Sequence, residues 1–167
     1  VNFDFDGDGK ADISRARVAA SSGGAVNEFR ARKSIDGSFK DYSLGNGVGR
    51  IAPGDFNGDD ETDAAVFNAG TWTYKTSTSG SAQTISLGTS GDIPVAADYD
   101  GDDITDAAVF RPSTGVWHIK ESTTSNIVSI TWGQTDDIPT VGDFDGDGLN
   151  DLAVFRPSNG VWYVNKS

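Results

Sequence analysis

The chain has 167 residues, 25 acidic against 13 basic, a formal net charge of −12, one histidine, and neither cysteine nor methionine. These figures exclude a disulfide framework, a thiolate or multi-histidine metal site and a cysteine nucleophile, and so negative a surface does not suit nucleic-acid phosphates. No apolar run approaches the roughly 18 residues of a membrane span, and 23 valines and isoleucines against 4 leucines point to strands rather than helices.

In chain order, the first element is an acidic loop, DFDGDGKAD, from Asp4 to Asp12. A segment at Ala19 to Ala25 follows that has no counterpart later in the chain. Ser34 to Phe39 is one residue short of a sialidase-type Asp-box and reads as a hairpin turn. Leu44-Gly45 closes this first unit, expected over residues 1–50. The second unit, 51–92, carries the loop DFNGDDETD (Asp55 to Asp63), then Phe67, Trp72 and Leu87-Gly88. The third, 93–137, is the clearest. Pro94 to Ala97 leads into DYDGDDITD (Asp98 to Asp106), and Ala107 to Arg111 leaves it. Pro112 to Gly115 is a turn, and Val116 to Glu121 and Ile127 to Trp132 are the remaining strands. The fourth unit, 138–167, has the loop DFDGDGLND (Asp143 to Asp151) and reaches only its third strand. With neither an initiator methionine nor a basic-then-apolar leader, the sequence reads as a mature piece or an excerpt of a longer chain.

The loops start at residues 4, 55, 98 and 143, a period in the forties that signals a propeller or solenoid. They hold 18 of the 25 acids, so the rest of the chain is mildly basic. A salt-adapted surface would spread its carboxylates; here they are packed, and packed carboxylates repel unless a cation or a raised pKa relieves them. The fold expected is all-β: a β-propeller, or a segment of one, with three full four-stranded antiparallel blades and three strands of a fourth.

The loop pattern D-[FY]-[DN]-G-D-x-x-x-D is followed in the last two units by Ala-Val-Phe-Arg-Pro-Ser-x-Gly-Val-Trp (Ala108 to Trp117, Ala153 to Trp162). Together these resemble the FG-GAP/VCBS family, the calcium-binding repeats of integrin-α-like β-propellers. The resemblance covers nearly the whole chain, although in the first unit only the loop carries it. It implies blades of four antiparallel strands with the metal loop joining the first two. It also implies a secreted or cell-surface location, and adhesion or ligand binding.

The loop chemistry agrees. Oxygen donors alone, several of them carboxylates, select a hard cation, and calcium accepts about 6–8 oxygens in tolerant geometry, ahead of magnesium. Loop positions 1, 3, 5 and 9 supply the side-chain donors. These are Asp4, Asp6, Asp8 and Asp12; Asp55, Asn57, Asp59 and Asp63; Asp98, Asp100, Asp102 and Asp106; and Asp143, Asp145, Asp147 and Asp151. Position 7 (Lys10, Glu61, Ile104, Leu149) varies in chemistry and is expected to ligate through its backbone carbonyl. Position 4 is glycine, expected at positive φ, and position 2 is aromatic, expected to turn into the core. Asx turns on a solvated face would need no metal, but repetition of the same donor positions favours about four calcium ions, one per loop. An EF-hand is excluded, since that motif places glycine at position 6 and glutamate at 12 between helices.

Other features read as structural. His118 is a strand-surface residue, and no nucleophile elbow accompanies it. Trp72, Trp117 and Trp162 are core between blades rather than a sugar platform, and Arg111 and Arg156 brace neighbouring loops. The chain is thus expected to be no enzyme but a calcium-stabilised extracellular module binding a protein or glycan through rim loops. The alternatives are a scaffold in which two copies complete a ring, or an accessory domain of a larger secreted enzyme.

Overall fold

Short runs of branched and aromatic residues, punctuated by glycine, suit pleated strands joined by tight turns. The computed structural model describes residues 3–21, 24–46, 48–76, 78 and 81–167, and among them every regular element is a β-strand. The chain divides into two units, Val1–Ser86 and Leu87–Ser167.

The N-terminal unit contains β1 (Ile13–Ser21), β2 (Gly24–Arg32) and β3 (Phe39–Asn46) in one sheet. A second sheet holds β4 (Arg50–Ile51), β5 (Ala64–Asn68), β6 (Thr71–Lys75) and β7 (Gln83–Ser86). All pairings are antiparallel, between strands consecutive in sequence. The extra segment of the first unit lengthens the β1–β2 hairpin, whose register runs out to Ser21↔Gly24. Side chains alternate across a strand, so Phe29, Ala31, Tyr42 and Leu44 share the face that meets Ala64 and Val66 of the next sheet, with Phe5 between them. The first sheet has three strands, not the four expected of a full blade. The later loops are each preceded by a strand (β4 before the second); among the described residues none precedes Asp4.

The C-terminal unit repeats the plan. β8 (Ile93–Pro94), β9 (Ala107–Arg111), β10 (Val116–Lys120) and β11 (Ile127–Thr131) form a four-stranded sheet. β12 (Ile138–Gly142), β13 (Asp151–Arg156) and β14 (Val161–Asn165) form a three-stranded one. The face bearing Ala108, Phe110, Trp117 and Ile119 packs on Leu152 and Val154 of the neighbouring sheet. The four sheets are the blade-like antiparallel units that the period implies.

Two burial expectations need correction. Trp72 and Trp117 are fully buried, but Trp162 is 58% exposed. Trp117 is covered by β11 and by Leu152 and Val154, whereas β14 is the last strand of its sheet and nothing in this unit occupies the corresponding places over Trp162. Likewise Phe5 is buried, Phe56 and Tyr99 are half-buried, and Phe144 is exposed.

The arginines do brace the loops. Arg111 Nε and Nη2 donate to Asp92 at 3.0 and 2.9 Å, and Arg156 donates the same fork to Asp137 at 2.9 and 2.8 Å. Both acids are almost fully buried, so these are two-pronged, charge-assisted bonds sheltered from water. At Asp92 burial alone would raise the carboxyl, but the Arg111 fork and the Thr89 amide outweigh it and hold it below its ordinary value. At Asp137 the Arg156 fork is the leading cause of the same lowering. A carboxyl that titrates lower when folded stabilises fully above its unfolded pKa, near about 4, and stops doing so as pH falls through the folded value. Urea midpoints are therefore expected to fall on acidification below about pH 4, and to fall less steeply in Asp92→Asn/Asp137→Asn. Equal slopes for the two proteins would refute it.

Candidate metal centre

Each acidic loop is wound around its first carboxylate. Asp4 accepts from the amides of Gly7 and Gly9, both at 2.8 Å. Asp55 accepts from Gly58 and Asp60, Asp98 from Gly101 and Asp103, and Asp143 from Gly146 and Gly148, at 2.5–3.0 Å. The Gly146 and Gly148 amides hold the Asp143 carboxyl below its ordinary value. Closing the loop this way takes positive φ at position 4, which is glycine throughout (72° to 86°). Position 6 is also left-handed, at Gly9, Asp60, Asp103 and Gly148, a feature the sequence reading missed. Aspartate tolerates that region better than most residues, which is why Asp60 and Asp103 can stand in for glycine.

In the last three loops the ninth-position acids are the most buried. Asp63, Asp106 and Asp151 are 0% exposed. In every loop this carboxylate accepts the position-2 amide at 2.8–2.9 Å: Phe5 to Asp12, Phe56 to Asp63, Tyr99 to Asp106, Phe144 to Asp151. In three loops its other oxygen accepts a serine amide from beyond the following hairpin, Ser34, Ser122 or Ser167. Burial raises the Asp106 carboxyl, and these amide bonds oppose it. The serines were missed too, although Ser122 and Ser167 each lie sixteen residues after their aspartate. The Ser122 and Ser167 hydroxyls also reach the fifth-position acids Asp102 and Asp147, at 2.7 and 3.1 Å. The Ser122 bond is the largest cause of the lowered Asp102 carboxyl.

The donor positions converge in three loops. One oxygen each from Asp4, Asp6 and Asp8 lies within 4.8 Å of the others, as do those of Asp98, Asp100 and Asp106, and of Asp143, Asp145 and Asp151. Asp102 and Asp147 stand outside those trios, their Oδ1 atoms accepting the amides of Ile104 and Leu149. The Asp8 carboxyl is lowered chiefly by the Lys10 ammonium, 3.1 Å away. Among the described residues the second loop assembles no such carboxylate trio; its third position is Asn57, whose amide donates to Asp59 at 3.0 Å. Of the position-7 residues, Glu61 pairs with Lys40 at 3.3 Å, while Ile104 and Leu149 are half-buried. Both carboxylate oxygens of Asp100 are buried with no hydrogen-bond partner. A buried anion without a partner is costly unless a cation joins it. An all-oxygen donor set around such a group fits a hard divalent ion.

Residues 138–166 match the FG-GAP repeat family. Comparison with curated proteins and with solved structures gives no match. The matched segment contains the loop Asp143–Asp151, and the three earlier loops repeat its two amide bonds to the first carboxylate and its position-2 amide bond to the ninth.

Consecutive loops are also tied together. In the N-terminal unit the Thr62 amide donates to the Asp4 carbonyl at 2.5 Å. In the C-terminal unit the Asn150 side chain donates to the Asp98 carbonyl at 2.8 Å. Gly7 faces the Glu61 side chain, and Gly101 faces Leu149 so closely that a Cβ would stand 2.8 Å from it. Eighth and seventh positions of one loop thus contact first and fourth positions of the loop before.

Proposed function

We propose that this chain is a calcium-stabilised, non-catalytic extracellular module that recognises a protein or glycan through its loops, built from repeats over 1–50, 51–92, 93–137 and 138–167. The FG-GAP match supports the class, since these repeats are non-catalytic and typically extracellular. Among the described residues no helix is long and apolar enough to cross a membrane. The observation that carries the metal reading is the buried, partnerless carboxylate of Asp100 beside Asp98 and Asp106. Asp4, Asp6 and Asp8, and Asp143, Asp145 and Asp151, would hold an ion in their own loops, and Asp55, Asn57, Asp59 and Asp63 would do so with one amide donor. When bound, the ion supplies positive charge that offsets carboxylate repulsion; the chain's own part is to hold the oxygens together on a backbone closed by Asx-type bonds. Asp12, Asp63, Asp106 and Asp151 anchor the loop to the strands whether or not they also touch the ion.

Calorimetric titration of chelator-treated protein is expected to show uptake of about four calcium ions at Kd of about 10⁻⁴–10⁻³ M, with magnesium weaker. Heat of dilution alone would overturn the metal reading. A glycan array and a protein-ligand screen on the calcium-loaded chain then address the recognised class.

A further inference from the structure

One residue recurs in all four repeats outside the acidic loops. Two positions past the end of β2, β6, β10 and β14 stands a serine: Ser34, Ser77, Ser122 and Ser167. The residue before it varies (Lys33, Thr76, Glu121, Lys166), so the strand end itself does not ask for one type. Ser77 lies outside the described residues. The other three make the same bond, donating their amides to the buried ninth-position acids Asp12, Asp106 and Asp151 at 2.7–2.8 Å. At Ser122 and Ser167 the hydroxyl makes a second bond, to the fifth-position acid of the same loop. In the first loop the Ser34 side chain adds to the lowering of Asp8 that Lys10 leads.

The third loop shows what the serine does. Within the loop, Asp98 is fixed by the Gly101 and Asp103 amides and Asp102 Oδ1 by the Ile104 amide at 2.9 Å. Ser122 reaches the same loop from the hairpin between β10 and β11. Its amide takes Asp106 Oδ1 at 2.7 Å while the Tyr99 amide takes Oδ2 at 2.9 Å, so both oxygens of Asp106 are engaged. Its hydroxyl takes Asp102 Oδ2 at 2.7 Å, and the Thr123 hydroxyl takes the same oxygen at 2.7 Å. A single residue thus bridges the fifth and ninth positions. A carboxylate oxygen accepts along two lone pairs, so an oxygen holding one donor keeps a second site open. Fixing the first bond sets the plane in which the second lies. Asp102 is only half-buried, and without the two hydroxyls its plane would turn about the one bond left, from Ile104.

We propose that Ser122 is a positioning residue for the ion of the third loop, and that Ser34, Ser77 and Ser167 play the same part in theirs. Ser122 holds Asp106 in the trio it forms with Asp98 and Asp100, and fixes the plane of Asp102. Groups that hydrogen-bond a ligating carboxylate orient it and so set metal affinity. This role rests on the calcium reading and extends the centre from the acidic loop to the hairpin after it. It makes that hairpin a party to binding. Thr123 to Asn126 are exposed, in a turn closed by the Glu121 amide on the Asn126 carbonyl at 3.0 Å and the Ser125 amide on the Glu121 carbonyl at 2.9 Å. An ion that fixes Asp102 and Asp106 fixes the acceptors of Ser122 and Thr123, and by reciprocity an ordered hairpin favours the ion.

The test uses the full chain. Ser122→Ala keeps the amide and loses the hydroxyl; Ser122→Thr keeps both. Calcium titration of chelator-treated protein, followed at the Gly101 and Asp103 amides in NMR spectra, reads this loop by itself. Ser122→Ala is expected to bind there about tenfold more weakly, and Ser122→Thr to bind as the unsubstituted chain does. In chelator the urea midpoints of all three are expected to match, whereas a serine that only braced the hairpin would lower the midpoint and leave the affinity alone. Calcium is expected to slow hydrogen exchange of the amide at position 122, and to slow it less in Ser122→Ala. Equal or tighter calcium binding by Ser122→Ala, a loss that Ser122→Thr does not restore, or exchange at position 122 that calcium leaves unchanged would overturn this role and leave the calcium reading standing. Absence of calcium-dependent shifts at the third loop of the unsubstituted chain would overturn both for that loop.

Discussion

Trp117→Ala is expected to lower the unfolding free energy by about 3–5 kcal/mol, a drop of roughly 10 °C in thermal midpoint. Trp162→Ala, in the same ten-residue motif, is expected to cost about 0.5–1 kcal/mol. The difference lies in what surrounds each indole. Trp117 is enclosed by Ile119, Leu152 and Val154, and its N–H is bonded to the Trp132 carbonyl. Its removal leaves a cavity that the short strands of two sheets cannot both close, and strips a carbonyl of its donor. Trp162 has one ring neighbour, Phe155, and water over more than half its surface. Equilibrium urea denaturation of the two variants checks this; equal losses would mean that Trp162 is covered in solution.

The second large effect separates an acid that builds the loop from one that waits for an ion. Asp106→Ala leaves the Tyr99 and Ser122 amides without their acceptor in a buried site, and is expected to cost about 2–4 kcal/mol with or without calcium. Asp100→Asn removes a buried charge that accepts no bond, so in chelator it is expected to be neutral or slightly stabilising. With calcium its sign reverses: the variant is expected to lose about one ion of uptake and the stabilisation that goes with it. Denaturation in chelator and in millimolar calcium distinguishes the two. If Asp100→Asn destabilises the metal-free protein as much as Asp106→Ala, Asp100 is a structural acid and the metal reading of that loop fails.

Local pattern was legible in the sequence, and what lies opposite a residue was not. β9 runs from Ala107 to Arg111 and β10 from Val116 to Lys120, within one residue of the expected strands, because alternation and the Pro-Ser-Thr-Gly turn are written locally. The loop positions were legible for the same reason: the first, fifth and ninth aspartates bond amides two to seven residues away. The Trp162 exposure could not be read from its motif, because burial belongs to the neighbouring strand and sheet as much as to the tryptophan. Asp92 and Asp137 were overlooked because their partners lie nineteen residues on, although Asp-Ile-Pro recurring ahead of Arg-Pro-Ser was a visible signal. The first sheet was expected to have four strands because its loop was read like the later ones, whereas β4, β8 and β12 stand ahead of the later loops and, among the described residues, no strand stands ahead of Asp4.

The Thr62 and Asn150 bonds to the preceding loops carry a consequence for how such a chain can change over time. Each tie lies within one unit, joins adjacent repeats and uses a main-chain carbonyl that every repeat owns, so the rule for joining makes no reference to how many repeats there are. Duplication or loss of a whole tied pair of repeats leaves its tie chemically intact, whereas an insertion of a few residues inside a loop breaks the tie that loop makes. Length variation among such arrays should therefore come in whole modules, with smaller insertions confined to hairpin ends such as the one lengthened between β1 and β2.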